Sequence, residues 1–547
     1  MFLFLTLISE IIIYNKGSFI YKLDTEKSTA SIASHIEEEK IKELEIPSSV
    51  MTPKGNFTIN QIGPSAFRDD HSIDGKVKIP ITIETISEYA FYNSSITEID
   101  FAPKCKLTTI GYFAFAYCRN IVEDVVFPNA LIKIGRAAFM NCIKLPGVMF
   151  NVGLQIISIE CFQNCFELGG TLNIPTTLVE LEMFAFKNCY KLQMVDFGSN
   201  PNLVKYKPAF DGCPNIEKFN IHQSKIYATD NQGAFLKVIN GEYVLMNVPK
   251  TISTLKFSFN IKYIDDNAFQ YATSLNKIEF GVAQTYFELD STGALLRKDN
   301  PTKTLYFVPR NAESFNVDKA LADVKPHAFR GCTKIKTFTV DSGNLDFSIE
   351  AGALLLNNRL VAVPRTATEY TYKKADSHIS NPFDGCVNLK TFKVDESNPY
   401  IYVQEGTNVL YNFGNRSLLR VPPAYSGDLK LLDSVVNIDH SAFQNCKNIR
   451  SLHVGKNLKS VNAIEFIDTQ NLVVYVPSLP SFLSDLPFIN VQVAKTMLIT
   501  LKNNNTLWLI LGGIGILTVL NVIILVVIFS RRKGNSEPIN DSPLLQE

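Results

Sequence analysis

The sequence predicts a β-rich solenoid, a stack of similar coils, over most of its 547 residues. One phrase, Ile-Gly-Arg-Ala-Ala-Phe-Met-Asn-Cys at 134–142, keeps returning along the chain. Its phenylalanine recurs at steps of 24 residues, once 23, and later at steps of 54 to 60. The eleven positions are Phe67, Phe91, Phe115, Phe139, Phe162, Phe186, Phe210, Phe269, Phe329, Phe383 and Phe443. A fixed period in this range is typical of a stacked array of one supersecondary unit.

Composition narrows the classes of function. The 53 basic and 53 acidic residues balance, which gives no support to a nucleic-acid partner or to a polybasic membrane-surface protein. With 38 Phe and one Trp, the chain suits layered apolar stacks. At this length a single compact core is disfavoured, whereas one long solenoid is not.

Each coil of about 24 residues is predicted to contain one short strand followed by a turn. Val195 and Phe197 are apolar and Asp196 lies between them, which is the alternation of a strand with one outward side chain. Proline often closes the strand, as Pro128 does. Gly135 opens the return turn, where a positive φ or a close backbone approach favours glycine.

The longer steps after Phe210 add roughly 30 to 36 residues to a coil, and a second pattern occupies them. Two short apolar runs are separated by Asn, Gly, Asp and Lys, which predicts an inserted β-hairpin. The pattern occurs around residues 233–249, 293–309, 352–364 and 409–422.

The two ends of the chain predict a membrane-anchored surface protein. Residues 1–17 are a candidate signal peptide, although no basic residue precedes the apolar run and Glu10 interrupts it; the alternative is a first capping strand. Residues 507–529 are long and apolar enough to span a bilayer, with Trp508 at one interface. The basic residues 531–533 then place the C-terminus in the cytoplasm.

We therefore predict seven segments. They are a signal peptide at 1–17, an N-terminal cap at 18–60, contiguous repeats at 61–221, repeats with inserted hairpins at 222–454, a C-terminal cap and stalk at 455–502, a transmembrane helix at 507–529 and a cytoplasmic tail at 530–547.

The repeat resembles the BspA-like, treponemal-type leucine-rich repeat over about residues 40–480. The resemblance is carried by Leu-x-x-Val-x-Phe-Pro followed by Ile-Gly-x-x-Ala-Phe-x-x-Cys. It implies a leucine-rich-repeat solenoid and a surface or secreted protein of bacteria or parasitic protists, several of which are adhesion proteins. A terminal span with a short tail is similar to the protist branch. The sequence departs from the pattern where Cys161 and Pro382 replace the alanine, and three copies lack the cysteine.

Eight of the ten cysteines fall three residues after a repeat phenylalanine. One equivalent slot in each coil predicts a ladder of buried thiols, although ten cysteines in an oxidising compartment also fit disulfides. Cys105 and Cys161 lie off the ladder and are the best candidates for a disulfide. No zinc-ligand spacing, nucleophile elbow or phosphate loop occurs, so we expect no metal, no cofactor and no enzymatic activity.

Three groups of candidate site residues follow. Sequons mark candidate N-glycosylation at Asn56, Asn93, Asn415 and Asn504. A candidate sorting signal, of the type that clathrin adaptors read, comprises Asp541, Leu544 and Leu545; a disordered stub is the alternative. The outward strand positions form a candidate binding face that includes Asp100, Asp124, Asp196, Asn220, Glu279 and Lys393.

A regular scaffold that carries varied outward side chains favours a binding surface. We expect a plasma-membrane adhesin or receptor that binds a protein or glycan on host cells, matrix or neighbouring cells. The alternatives are an endocytic receptor and a structural coat protein without a specific ligand. We also expect the face to be acidic in the early coils and basic in the later ones, where Lys277, Lys390 and Lys393 lie.

Overall fold

The computed structural model describes residues 12–36, 39–200, 202–222, 224, 226–372, 382–396, 398–412, 416–439, 442–458, 472–476 and 490–493. Every regular element in these ranges is a β-strand. They contain no helix long and apolar enough to cross a membrane. The predicted span at 507–529 and the segment 1–11 lie outside them. Two compact units divide the chain, residues 1–401 with 422–424 and residues 402–421 with 425–547.

The first unit contains most of the strands. They are β1 (Ile12–Lys16), β2 (Phe19–Asp24), β3 (Thr29–His35), β4 (Ile41–Glu45), β5 (Ser49–Thr52), β6 (Gly55–Ile62), β7 (Ile73–Ile79), β8 (Thr85–Ile86), β9 (Glu98–Phe101), β10 (Thr109–Ile110), β11 (Val125–Val126), β12 (Lys133–Ile134), β13 (Val148–Met149), β14 (Ile156–Ile157), β15 (Gly169–Asn173), β16 (Glu180–Leu181), β17 (Lys191–Ser199), β18 (Lys205–Tyr206), β19 (Lys218–His222), β20 (Tyr227–Thr229), β21 (Phe235–Ile239), β22 (Glu242–Asn247), β23 (Thr254–Phe257), β24 (Ile261–Ile264), β25 (Lys277–Phe280), β26 (Phe287–Leu289), β27 (Leu295–Lys298), β28 (Lys303–Phe307), β29 (Ser314–Val317), β30 (Leu321–Val324), β31 (Thr337–Val340), β32 (Phe347–Glu350), β33 (Ala353–Leu356), β34 (Arg359–Ala362), β35 (Glu369–Tyr372) and β36 (Thr391–Val394).

The remaining strands begin at the boundary between the units. They are β37 (Ile401–Gln404), β38 (Val409–Asn412), β39 (Ser417–Arg420), β40 (Ser426–Lys430), β41 (Asn437–Ile438), β42 (Asn448–His453), β43 (Val473–Val476) and β44 (Asn490–Val493). They form two four-stranded sheets, in the orders β37-β38-β39-β41 and β40-β42-β43-β44.

Each contiguous coil carries two strands, so the expectation of one strand and a turn is wrong. The residue pair that ends at the isoleucine before the repeat glycine is itself a two-residue strand, as in β10 and β12, and the glycine follows it. Thr85, Thr109 and Lys133 pair in parallel register across successive coils. These second strands build an eleven-stranded sheet in the order β1-β2-β3-β6-β8-β10-β12-β14-β16-β18, with β5 beside β6. The first strands build separate parallel sheets, β4-β7-β9, β11-β13 and β15-β17-β19. A strand this short is held by its neighbours in adjacent coils rather than by its own length.

The repeat phenylalanines form the centre of the core, as the sequence predicts. Phe67, Phe91 and Phe115 are fully buried and stack face to face at 4.6 and 5.0 Å. The stack continues through Phe139 to Phe210, with centroid separations of 5.0 to 5.4 Å. The preceding alanine, such as Ala138, is also fully buried. A larger side chain there would enter space already filled by the adjacent coil.

Buried thiols occupy the cysteine slot, and they donate hydrogen bonds to the preceding coil. All ten cysteines are buried thiols outside any disulfide, including the two candidates for a disulfide, Cys105 and Cys161. In the contiguous coils each thiol donates to the carbonyl of the repeat phenylalanine one coil earlier. These contacts are Cys118–Phe91 at 3.0 Å, Cys142–Phe115 at 3.1 Å, Cys165–Phe139 at 3.2 Å, Cys189–Phe162 at 3.4 Å and Cys213–Phe186 at 3.0 Å. The first copy has Asp70 in this slot, paired with His35 at 2.6 Å.

The turns depend on left-handed residues that the sequence pattern did not reveal. The residue before the alanine slot, which Cys161 occupies in one coil, has φ between 52° and 61° in six successive coils. The second residue after the phenylalanine has φ between 54° and 62° in the same six coils. Asparagine tolerates this conformation and occupies the second position repeatedly. Asn188 donates to Asn164, and Asn164 to Asn141, both at 2.8 Å. Gly135 meets the other requirement, close approach, because a Cβ there would lie 2.7 Å from the carbonyl carbon of Gly111.

The lengthened coils contain the predicted antiparallel insertions. In one, β26, β27 and β28 form a meander, and β28 then pairs in parallel with β30 of the next coil. The Val-Pro end of the insertion occupies the place of a missing Ala-Phe turn, because Val308 N–H donates to the Ala328 carbonyl at 3.0 Å. The Cys332 thiol accordingly points at the Val308 carbonyl, at 3.6 Å.

A buried arginine follows the Val-Pro end of the next insertion. Arg365 is 2% exposed and donates to the carbonyls of Cys332, Phe329 and Pro382 at 2.6, 3.3 and 3.3 Å. In the contiguous coils the carbonyl of the repeat phenylalanine accepts from a cysteine. The guanidinium therefore satisfies an acceptor that the insertion has separated from its usual donor.

Candidate functional site

The candidate binding face is formed by the first strand of each coil. Parallel register places one outward residue from each coil beside its counterpart in the next. Asn173, Asp196 and Asn220 are partners in this way, and so are Lys78 and Asp100. We call this line of outward positions the face row. Because the backbone fixes each strand, side chains in the face row are held at regular spacing before any ligand binds.

The early part of the face row is a ladder of ion pairs. Lys78 contacts Glu43 at 2.6 Å. Lys76 contacts Glu98 at 2.6 Å and lies 3.9 Å from the candidate residue Asp100. The hydrogen bond from Lys78 lowers the pKa of Glu43. Exposed pairs of this kind contribute little to stability. They do, however, pair each charge with a side chain on the adjacent coil.

The acidic candidates further along differ from one another. Asp124 is exposed, and its carboxylate lies over Gly147, where a Cβ would come within 2.4 Å of an Asp124 oxygen. Asp196 accepts from the Asn220 side-chain amide at 3.0 Å and from the Gly198 N–H at 2.7 Å. Asp124 is thus an exposed carboxylate beside the face row, just before β11, whereas Asp196 lies in the row and also caps the backbone at Gly198.

Two of the three later lysines, Lys277 and Lys393, are paired with carboxylates, which offsets part of the expected basic charge. Lys277 contacts Glu279 at 2.7 Å and lowers the pKa of that carboxyl by its hydrogen bond. Lys393 contacts Glu369 at 2.7 Å from the preceding coil. The candidates Glu279 and Lys393 therefore lie in mixed-charge pairs.

Between the early charges and Asn173 the face row becomes apolar. Val126 and Met149 are direct register partners, and they are 48% and 51% exposed. Val122, just before the same strand as Val126, is 49% exposed. Val126 and Met149 lie at outward strand positions, as the predicted face does, but they are not among the residues named for it from the sequence. Their signal was an apolar residue at an outward strand position in two successive coils.

A family model now identifies the repeats. The model described as "BspA type Leucine rich repeat region" matches residues 36–165, 108–240, 238–291, 303–358 and 426–490, more than half of the chain. The chain belongs to the BspA-type leucine-rich-repeat family. This family is a repeat scaffold, and the resemblance drawn from the repeat phrase is confirmed.

Solved structures similar to this BspA-type chain include proteins described as leucine-rich and a vaccine antigen. A leucine-rich cell surface protein of Faecalibacterium prausnitzii is 14% identical, with 87% of this chain and 98% of that chain covered and a TM-score of 0.32. The pneumococcal vaccine antigen PcpA is 17% identical, with 88% and 99% covered and a TM-score of 0.27. A leucine-rich-repeat protein of Bacteroides ovatus is 15% identical, with 84% and 99% covered and a TM-score of 0.29. No curated protein matches this chain.

The other candidate residues of this BspA-type chain lie on its surface or outside the described ranges. Asn56 is exposed at the start of β6. Asn93 is half-buried at a left-handed turn position and donates to Asp69 at 2.7 Å. Asn415, Asn504 and the tail residues 541, 544 and 545 are outside the described ranges. Within those ranges no group of three or more His, Cys, Asp or Glu is arranged to hold a metal ion.

Proposed function

We propose that this BspA-type protein acts at the cell surface and that its repeats bind a protein or glycan ligand on host cells, matrix or neighbouring cells. The face row carries the proposal. It presents side chains of different types at a spacing fixed by the backbone, so binding need not order them. Side chains that differ in type on one rigid frame are what selective recognition requires.

The anchoring that we propose rests on the sequence. A single transmembrane segment at 507–529 would place the repeats outside the cell and the tail in the cytoplasm. The tail residues Asp541, Leu544 and Leu545 would contact clathrin adaptors, which would make the protein an endocytic receptor as well. We propose no catalytic role, since the repeats supply a scaffold and the face row joins no nucleophile to a base.

A structural coat protein is the second candidate. The lateral ion pairs favour it, because Lys393–Glu369 and Lys336–Glu313, both at 2.7 Å, link adjacent coils of the same chain. Charges paired within the chain are less available to a ligand. A coat protein would need only a solvated face and lateral packing.

Attachment of cells that display the full-length chain distinguishes the two. Reversing Asp100, Asp124 and Asp196 to lysine is expected to weaken attachment to host cells or matrix at an unchanged surface level. A matched control reverses Glu26, Glu84 and Glu88, which lie off the first strands of the coils. Comparable attachment by the wild type and the face variant, with loss of attachment on deleting residues 291–309, would move the binding surface to the hairpins. If the wild-type chain mediates no attachment at all, the coat-protein role replaces binding.

A further inference from the structure

Two adjacent positions of the face row, Val126 and Met149, carry exposed aliphatic side chains. Together with Val122, which precedes β11, they are here called the aliphatic interval. Val122, Val126 and Met149 are 49%, 48% and 51% exposed. Val126 and Met149 are register partners in adjacent strands, β11 and β13. Beneath them Phe127 and Phe150 stack at 5.6 Å. The backbone that carries Val126 and Met149 is therefore held in place by strand pairing and by the packed rings.

Elsewhere the face row is polar and is satisfied across coils. Lys78 reaches Glu43, Asn220 reaches Asp196, and Thr339 donates to Asn316 at 2.7 Å. Covering such contacts would remove polar groups from water and would yield little favourable free energy. The aliphatic interval differs, since about half of each side chain remains in water, and its burial would yield roughly 25 cal/mol for each Å² covered.

Carboxylates surround the aliphatic interval. Asp124 lies between Val122 and Val126 in sequence and is exposed, and Glu123 is exposed beside it. Glu98 and Asp100 lie one coil earlier and share Lys76. Lys144, at the start of the next coil, is directed to the Asn120 side chain at 3.4 Å. Exposed carboxylates at Glu123 and Asp124 therefore flank the apolar side chains, and an apolar centre with a polar rim is the general arrangement of protein–protein contact patches.

We propose that the aliphatic interval is the contact centre for a protein segment that presents an apolar side chain flanked by lysine or arginine. This inference rests on the proposed binding function and names its partner. A basic flank on the partner would complement the exposed carboxylates of Glu123 and Asp124. A glycan fits less well, because its hydroxyl groups would lose water against valine and methionine without gaining hydrogen bonds. Methionine adapts its shape to an incoming side chain.

The test uses the full-length chain in detergent and two fluorescent peptides. One peptide has leucines flanked by lysines, and the other has glutamate at every lysine. We expect the lysine peptide to bind, and Val126→Lys with Met149→Lys to weaken that binding at least tenfold. The control Val204→Lys changes a residue that is 50% exposed just before β18, in the other sheet, and is expected to bind as the wild type does. Val126→Ser with Met149→Gln provides a milder pair should the lysines lower the melting temperature.

The outcomes separate this inference from the proposed function. Absent binding of the lysine peptide, equal binding of the two peptides, or unchanged binding by both double variants overturns the aliphatic interval as a contact centre. Cell attachment that survives in both double variants overturns it while the binding function stands. Peptide binding that depends on Val126 and Met149, in a chain that mediates no attachment, keeps the contact centre and removes the adhesive role.

Discussion

Replacing Phe139 by alanine tests whether the phenylalanine stack holds the coils together. Its ring is fully buried and lies 5.0 Å from Phe115 and 5.2 Å from Phe162, nearly parallel to both. The ring of Phe127 meets it edge-on at 5.6 Å. Loss of such a side chain costs ~3–5 kcal/mol, from lost burial and from the cavity left behind. The backbone opposes collapse of that cavity, because Phe139 N–H donates to the Cys161 carbonyl at 2.8 Å.

The effect should be local, since a solenoid couples mainly to nearest neighbours. Native-state hydrogen exchange is therefore the appropriate measurement. We expect amides of residues 110–165 to open roughly a hundred-fold to a few thousand-fold more often, which is ~3–5 kcal/mol. Amides in β29 and β31 should be unchanged. Tyr112→Ala, at a side chain that is 47% exposed, should alter exchange by less than ~0.5 kcal/mol. Equal effects of the two substitutions, or uniform loss of protection along the repeats, would refute the nearest-neighbour stack.

Four further predictions concern the remaining features. Ladder thiols such as Cys142 should resist iodoacetamide at about pH 8 until the protein is denatured, because burial raises the thiol pKa well above its ordinary value; rapid native labelling, or recovery in disulfides, would contradict this. Although burial opposes it, the hydrogen bonds from the His35 and Ser72 side chains lower the pKa of Asp70, so this carboxylate stabilises the fold above about pH 4 and the contribution is lost as pH falls through the lowered value. Asp70→Asn should accordingly reduce the free energy of unfolding at neutral pH and flatten its acid dependence; an unchanged acid limb would count against the pair. Arg365→Ala should destabilise by about 2–4 kcal/mol in urea titrations, because buried carbonyls lose their donor, whereas exposed Arg359→Ala should not; equal effects would reject the assigned role. An epitope tag after Glu547 should stain only in permeabilised cells, and staining of intact cells would reverse the proposed topology.

Much of the fold was predictable because the core residues recur at fixed positions in each repeat. Phe, Ala and Cys recur at fixed offsets since each must fit the same slot in every coil. The apolar Val-Pro runs likewise predicted the insertions around residues 293–309. The second strand of each coil was not predictable from its own residues. Thr109–Ile110 is too short to show alternation, and it becomes a strand only through its partners at 85–86 and 133–134.

The hydrogen bonds and ion pairs between coils were harder to predict than the repeat positions of the core residues. Cysteine was expected as a small buried residue, but its acceptor on the preceding coil depends on the turn geometry. Arg365 reads as a surface residue, since nothing local shows that an insertion has left carbonyls without donors. The lateral pairs did leave a signal. Glu369 and Lys393, like Asp196 and Asn220, are 24 residues apart, so complementary side chains separated by one period predict contact across coils.

The pairing of side chains one repeat period apart also bears on which function the surface can perform. A face that only needs to remain solvated is served by pairs such as Lys78–Glu43 and Lys393–Glu369, in which each coil provides the partner of the next. Such pairing extends easily through a repeat protein. When a coil that contains both kinds of charge is duplicated, its copy provides a partner for each charge. Val126 and Met149 break the rule, since half of each aliphatic side chain stays in water with nothing polar gained. An exposed aliphatic pair contributes nothing to solvation and little to its own coil, so a face that only remains solvated leaves it without a purpose. A partner that covers it supplies one, and for that reason the contrast between the aliphatic interval and the paired charges around it favours recognition over passive coating.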